Sequence, residues 1–112
     1  MPQQERKDRR YEVRVSCELT HSGRAEFAET KNLSTGGAAI AFPRPLSVGE
    51  VVTVSFFLTQ DGIEDPNRPS FECAASVRWA KPAGSGCTAG LQFLAPSIEQ
   101  RDLLKDFLRR ID

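Results

Sequence analysis

From Phe71 to Trp79 apolar and polar side chains alternate, with Phe71, Cys73, Ala75, Val77 and Trp79 on one face and Glu72, Ala74, Ser76 and Arg78 on the other. A period of two puts successive side chains on opposite faces of a strand and fits no helix. The same period recurs along the chain. Val13, Val15, Cys17 and Leu19 alternate with Arg14, Ser16, Glu18 and Thr20, and residues 25–30 read as a weaker strand. Residues 38–42 form a short strand of mostly small side chains, ended by Pro43 and Pro45. Residues 51–59 carry β-branched and aromatic side chains on both faces, and residues 88–94 place Ala89, Leu91 and Phe93 on one side.

Turn chemistry separates these runs: His21-Ser22-Gly23, the connection at 46–50, Asp61-Gly62 with the polar loop to Pro69, and residues 81–86. After Pro96 the period changes. Ser97-Ile98-Glu99-Gln100 is a capping box, in which the Ser oxygen accepts from the Gln backbone and the Gln side chain reaches back. Leu104, Phe107, Leu108 and Ile111 then follow helical spacing with Leu103 beside them, while Arg101, Lys105, Arg109 and Arg110 fall on the wet side. The pattern predicts a mainly β fold: about six short antiparallel strands in a closed or nearly closed barrel, with one C-terminal α-helix. There are no internal repeats.

The 112 residues suffice for one domain with a core of its own. Formal net charge is zero, so bulk electrostatics favour neither nucleic acid nor an acidic surface. No apolar run has bilayer length and no signal-peptide pattern opens the chain, which predicts a cytoplasmic protein without membrane insertion. Cys17, Cys73 and Cys87 are odd in number and scattered, so we expect three reduced thiols, Cys17 and Cys73 packing as small apolar residues, and no metal site. Catalysis lacks its parts. The single histidine, His21, sits in a polar turn, Glu64 and Asp65 diverge in a loop, and no glycine-rich phosphate loop precedes the helix. No catalytic residue and no cofactor is expected.

Two stretches remain. Arg9, Arg10 and Arg14 form a basic arm ahead of the first strand, and Asn32-x-Ser34-x-x-Gly37 occupies a turn with Gly36. The arm reads either as solvated charge or as a grip on phosphates, since guanidinium forks bind paired oxygens, reach guanine O6 and N7, and stack on bases. Asn and Ser in such a turn either bond their own backbone or converge on a flat polar ligand, with the glycines easing φ and close approach.

Arg10-x-x-x-Arg14 followed by Asn32-x-Ser34-x-x-Gly37 resembles the PilZ domain, a family of bacterial receptors for the second messenger cyclic di-GMP. Ala75-Ser76-Val77-Arg78-Trp79 and Ala89-Gly90-Leu91-Gln92-Phe93 are similar to that family's last strand pair. The resemblance implies a six-stranded PilZ-type barrel over residues 9–112, behind a flexible lead-in at 1–8. It implies that Arg10 and Arg14 bind phosphates and guanine edges, that Asn32 accepts from guanine N1 and N2 hydrogens, and that Ser34 bonds the ligand or pins the turn. Gly36 and Gly37 would keep the backbone clear, and Arg9 would help stack a second molecule, giving an intercalated pair of cyclic di-GMP. Family members often have Asp where Asn32 stands, and Pro before the second Arg; Glu12 sets a carboxylate close to the site. Signalling would follow from ordering of a mobile arm and altered contacts with an effector protein, in a process such as motility or biofilm control. The alternative is a PilZ-fold interaction module that binds no nucleotide. A single-strand nucleic-acid barrel is disfavoured because Phe71 and Trp79 share the apolar, core-facing side.

Overall fold

Ser22 and Gly23 have φ of 54° and 79°, the paired positive values of a two-residue hairpin turn whose twist matches its strands. They join β1 (Ser16–His21) to β2 (Arg24–Leu33). The remaining elements are β3 (Gly37–Phe42), β4 (Val51–Phe56), β5 (Thr59–Gln60), β6 (Ile63–Glu64), β7 (Phe71–Ala83), β8 (Gly86–Phe93) and the helix α1 (Ile98–Ile111). This computed structural model describes residues 11–12, 15–60, 63–64 and 71–111, without the side chains of 59, 60, 63, 64 and 111. Six strands close an antiparallel barrel in the order β1-β2-β3-β8-β7-β4, with β4 pairing back to β1. This is the fold expected from the alternation. Outside the barrel, β5 and β6 pair with each other, so the fourth barrel strand stops at Phe56 rather than Thr59. The expected Asp61-Gly62 turn lies outside the described residues. The β7–β8 turn is tighter than the predicted 81–86: β7 runs through Ala83, and Gly84 carries the positive φ of 61°.

Cross-strand partners point to the same side of a sheet, so the barrel lining reads in rows. One row runs Leu33, Ala38, Leu91, Val77, all buried. At one end Phe56, Phe71 and Phe93 cluster with centroid separations of 4.8–6.0 Å. There α1 contributes Leu104, Phe107 and Leu108 to the same core. Each such side chain stabilises the fold by about 1.5–3 kcal/mol when fully removed from water. Ser97 caps the helix, its Oγ accepting the Gln100 N–H at 3.1 Å. The other half of the capping box goes elsewhere: Gln100 Oε1 accepts the Glu72 N–H of β7 at 2.6 Å and tethers helix to barrel.

Cys17 and Cys87 are buried and Cys73 is half-buried; all three are free thiols. Burial pushes the Cys73 thiol up to about 11. Among the described residues no His, Cys, Asp or Glu cluster could hold a metal, and no helix is long and apolar enough to cross a membrane.

One expectation requires correction. Trp79 is not core: it is 38% exposed, because a bulge between Val77 and Trp79 breaks the alternation. Tyr11 and Leu33 exchange two backbone hydrogen bonds of 2.9 Å, Tyr11 packs on the core, and Val15 is buried.

Candidate functional site

Two β-bulges shape the outer wall of the barrel. In β2, Thr30 pairs with Ile40 and Asn32 with Ala39, so Lys31 is the extra residue. Thr30 points into the core, as alternation requires; without the bulge Asn32 would follow it inward. The extra residue turns Asn32 outward and returns Leu33 to the interior. In β7 the extra residue is Arg78, opposite the single step from Leu91 to Gly90. It turns Trp79 out and Ala80 in, and Ala80 packs against the core.

These two re-aimed side chains end one cross-strand row on the outer face: Asn32, Ala39, Gly90, Trp79. Three inter-strand gaps make the row roughly 14 Å long. Its middle carries no side chain larger than a methyl group and is buried. Gly90 has no side chain, and the Trp79 indole occupies the space a Cβ there would take, with Nε1 2.1 Å from the ideal Cβ position. Lys81 Nζ sits 5.8 Å from the Trp79 ring centroid, within cation–π range. The next row holds Gly37, Gln92 and Ser76, and Arg78 donates to Gln92 Oε1 at 2.9 Å. The result is a narrow surface on which the indole lies over Gly90, with the Asn32 amide at the far end and cations along the indole side.

Ser34 sits beside this surface and is consumed by its own turn. Its N–H and its hydroxyl both donate to Gly37 O, at 2.9 and 3.2 Å, and its Oγ accepts the N–H groups of Gly36 and Gly37 at 3.2 and 3.1 Å. A hydroxyl offers one donor and two acceptor sites, so its capacity is filled. Gly36 O accepts the Phe93 N–H at 2.9 Å, locking the turn to β8. Gly36 and Gly37 are not among the left-handed glycines of the described residues, Gly23, Gly49 and Gly84. At Gly37 the constraint is a close approach, because an added Cβ would lie 2.2 Å from Leu91 O.

Arg9, Arg10 and Arg14 lie outside the described residues. Their described neighbours Tyr11 and Val15 are anchored, the first opposite Leu33, which stands between Asn32 and Ser34. Trp79, read as a core residue, stands on the outer face instead. The signal for that placement was present in the bare Gly90 of the facing strand, which an inward Trp79 would not need.

Several solved structures share this fold. The Bacillus subtilis inhibitor of motility MotI/DgrA matches with a TM-score of 0.75 and 19% identity over 96% of this chain and 51% of that one. The PilZ domain of Escherichia coli YcgR, solved with c-di-GMP, matches at 0.70 with 14% identity, over 96% of this chain and 95% of that one. The K. pneumonia MrkH–c-di-GMP complex matches at 0.68 with 17% identity, over 96% and 52%. The chain thus spans about half the length of the MotI and MrkH chains. No curated protein sequence matches it. The family model described as PilZ domain matches residues 4–110, nearly the whole chain, and the chain therefore belongs to the PilZ domain family.

Proposed function

We propose that the chain is a cytoplasmic receptor for cyclic di-GMP, with residues 9–112 as one domain that signals through its arm and its protein contacts. The observation that carries this reading is the outer-face row in which two bulges present Asn32 and Trp79 across a floor of Ala39 and Gly90. A purine ring needs a flat stacking partner and an edge acceptor. An indole gives the first, worth roughly 1–3 kcal/mol per base. The Asn32 carbonyl oxygen gives the second, toward the guanine N1 and N2 hydrogens. Ser34 shapes the turn, and Gly36 and Gly37 keep it tight against β8. Arg10 and Arg14 grip the phosphates and guanine edges, and Arg9 stacks on a second molecule of an intercalated pair. The YcgR domain and MrkH, both solved with c-di-GMP, share the fold and support the choice of ligand.

The anchors at Tyr11 and Val15 refine the mechanism. Ordering a backbone residue costs about 1–2 kcal/mol, and the contacts of Tyr11 and Val15 meet that cost at their own positions. In this reading the switch is the arm that carries Arg9, Arg10 and Arg14. Its closure over the ligand remodels the surface that an effector protein reads. Calorimetry on Arg10→Ala and Arg14→Ala tests the assignment. Each charge-assisted contact contributes roughly 1.5–3 kcal/mol, so either substitution should abolish measurable binding; unchanged affinity would overturn the roles given to these residues.

A further inference from the structure

On the far side of the Ser34–Gly37 turn an open cavity of about 320 Å3 lies between Thr35 and Gly36, the β8–α1 connection and the helix. Phe93, Ala95 and Pro96 form its floor and one side, and Arg101 and Lys105 reach it from α1. The two cations are four residues apart, one above the other on the same helix face. Among the described residues no acidic side chain lines it. Neither cation makes an ion pair among the described residues, whereas Arg109 and Arg110 on the same helix are both matched by Asp106, at 3.7 and 3.0 Å. Glu99 and Asp102 are the acids nearest in sequence, and both are exposed and outside the cavity. Like charges at this spacing disfavour the helix that carries them, so their convergence on one concavity with no counter-charge among the described residues is not a stability device.

Two features reinforce the positive potential and the shape. The cavity opens beside the N-terminal end of α1, the positive end of the helix dipole. Ala95 in its wall has φ 46°, an unfavourable conformation for a residue with a Cβ. That conformation carries the chain from β8 into the helix and leaves the concavity open.

We propose that this cavity is a second ligand site, distinct from the Asn32–Trp79 floor, and that it takes the phosphate group of a small phosphorylated molecule. Arg101 supplies a fork of donors for two phosphate oxygens and Lys105 a point charge beside it. The volume exceeds what a bare oxyanion fills and falls at the small end of ligand pockets, which favours a phosphate ester of about nucleotide size. The inference does not depend on cyclic di-GMP binding.

The test uses the full chain, isotopically labelled, titrated at constant ionic strength with inorganic pyrophosphate and with adenosine 5′-monophosphate while backbone amide resonances are followed. Saturable shifts are expected at Thr35, Gly36, Ala95, Arg101 and Lys105 with both probes. The Arg101→Gln/Lys105→Gln variant should bind each about tenfold more weakly or worse. Both side chains are exposed, so a thermal melt matching that of the parent will show that this variant is folded. Absence of saturable shifts at millimolar probe, or shifts that persist unchanged in the variant, would overturn the site. Binding of pyrophosphate without the monophosphate would overturn the assignment to an ester. Loss of cyclic di-GMP binding elsewhere in the protein would leave all three readouts in place.

Discussion

Replacing Gly90 by Ala probes the outer-face floor with a single methyl group. The added Cβ would stand 2.1 Å from Trp79 Nε1, 2.5 Å from Cε2 and 2.7 Å from Cδ1, so the indole must leave. Trp79 is 38% exposed now. A displacement that doubles that exposure uncovers roughly 90 Å2 of a side chain with about 250 Å2, or about 2 kcal/mol at ~25 cal/mol per Å2. Ala suits a strand better than Gly by about 0.5–1 kcal/mol, which leaves a net loss of roughly 1–1.5 kcal/mol and a folded barrel. Binding should suffer more than folding. Removing one indole–base stack costs about 1–3 kcal/mol, a 5- to 150-fold weaker cyclic di-GMP affinity by rough conversion. Trp79 is the only tryptophan, so its fluorescence reports this position alone. Emission should shift to the red in free Gly90→Ala, and calorimetry should show the weaker affinity. A red shift with unchanged affinity would refute the stacking role; no shift at all would refute the placement of the ring on Gly90.

Three further outcomes follow from the same geometry. Tyr11→Ala frees the arm from its packing on the core, so ligand must order more chain; affinity should fall roughly 5- to 30-fold, from about 1–2 kcal/mol of backbone ordering, and the Leu33 amide should exchange faster with deuterium. Gly37→Ala drives a Cβ against Leu91 O and should cost about 1–3 kcal/mol in a denaturant titration, so any binding loss there reports the fold and not a missing contact. Cys73, raised from 9.0 to about 11 by burial, holds about 100-fold less thiolate at neutral pH than an ordinary thiol. Its alkylation rate should therefore be slow and keep climbing with pH beyond 9, where that of an unperturbed thiol levels off; a plateau near 9 would contradict its burial.

The barrel and its helix were legible because alternation and helical spacing are local. Ala89, Leu91 and Phe93 face inward as read, and Leu104, Phe107 and Leu108 pack as their spacing requires. The bulges were not legible. Nothing in Thr30-Lys31-Asn32 or Val77-Arg78-Trp79 announces an unpaired residue, because a bulge is a property of two strands in register. A one-residue slip inverts every later side chain, which is why Trp79 was assigned to the core although its neighbours were placed correctly. The motif was read as a turn throughout, but Asn32 lies in β2 and Gly37 opens β3; the serine bonds its own backbone, one of the two readings left open. The reason for Gly37 was not legible, since it lies in Leu91 of another strand and not in φ. Gln100 shows the same limit: its local role in the capping box was visible, and its partner Glu72, 28 positions away, was not.

The central claim is that guanidinium groups of the arm and the Asn32–Trp79 floor together hold cyclic di-GMP. Calorimetric titration of the full chain with cyclic di-GMP, alongside cyclic di-AMP as a control, tests it most directly. The account predicts saturable binding of cyclic di-GMP at two molecules per chain, and much weaker binding of cyclic di-AMP, whose base lacks the N1 and N2 hydrogens that Asn32 would accept. Absence of heat with either dinucleotide, or equal affinity for both, would contradict it.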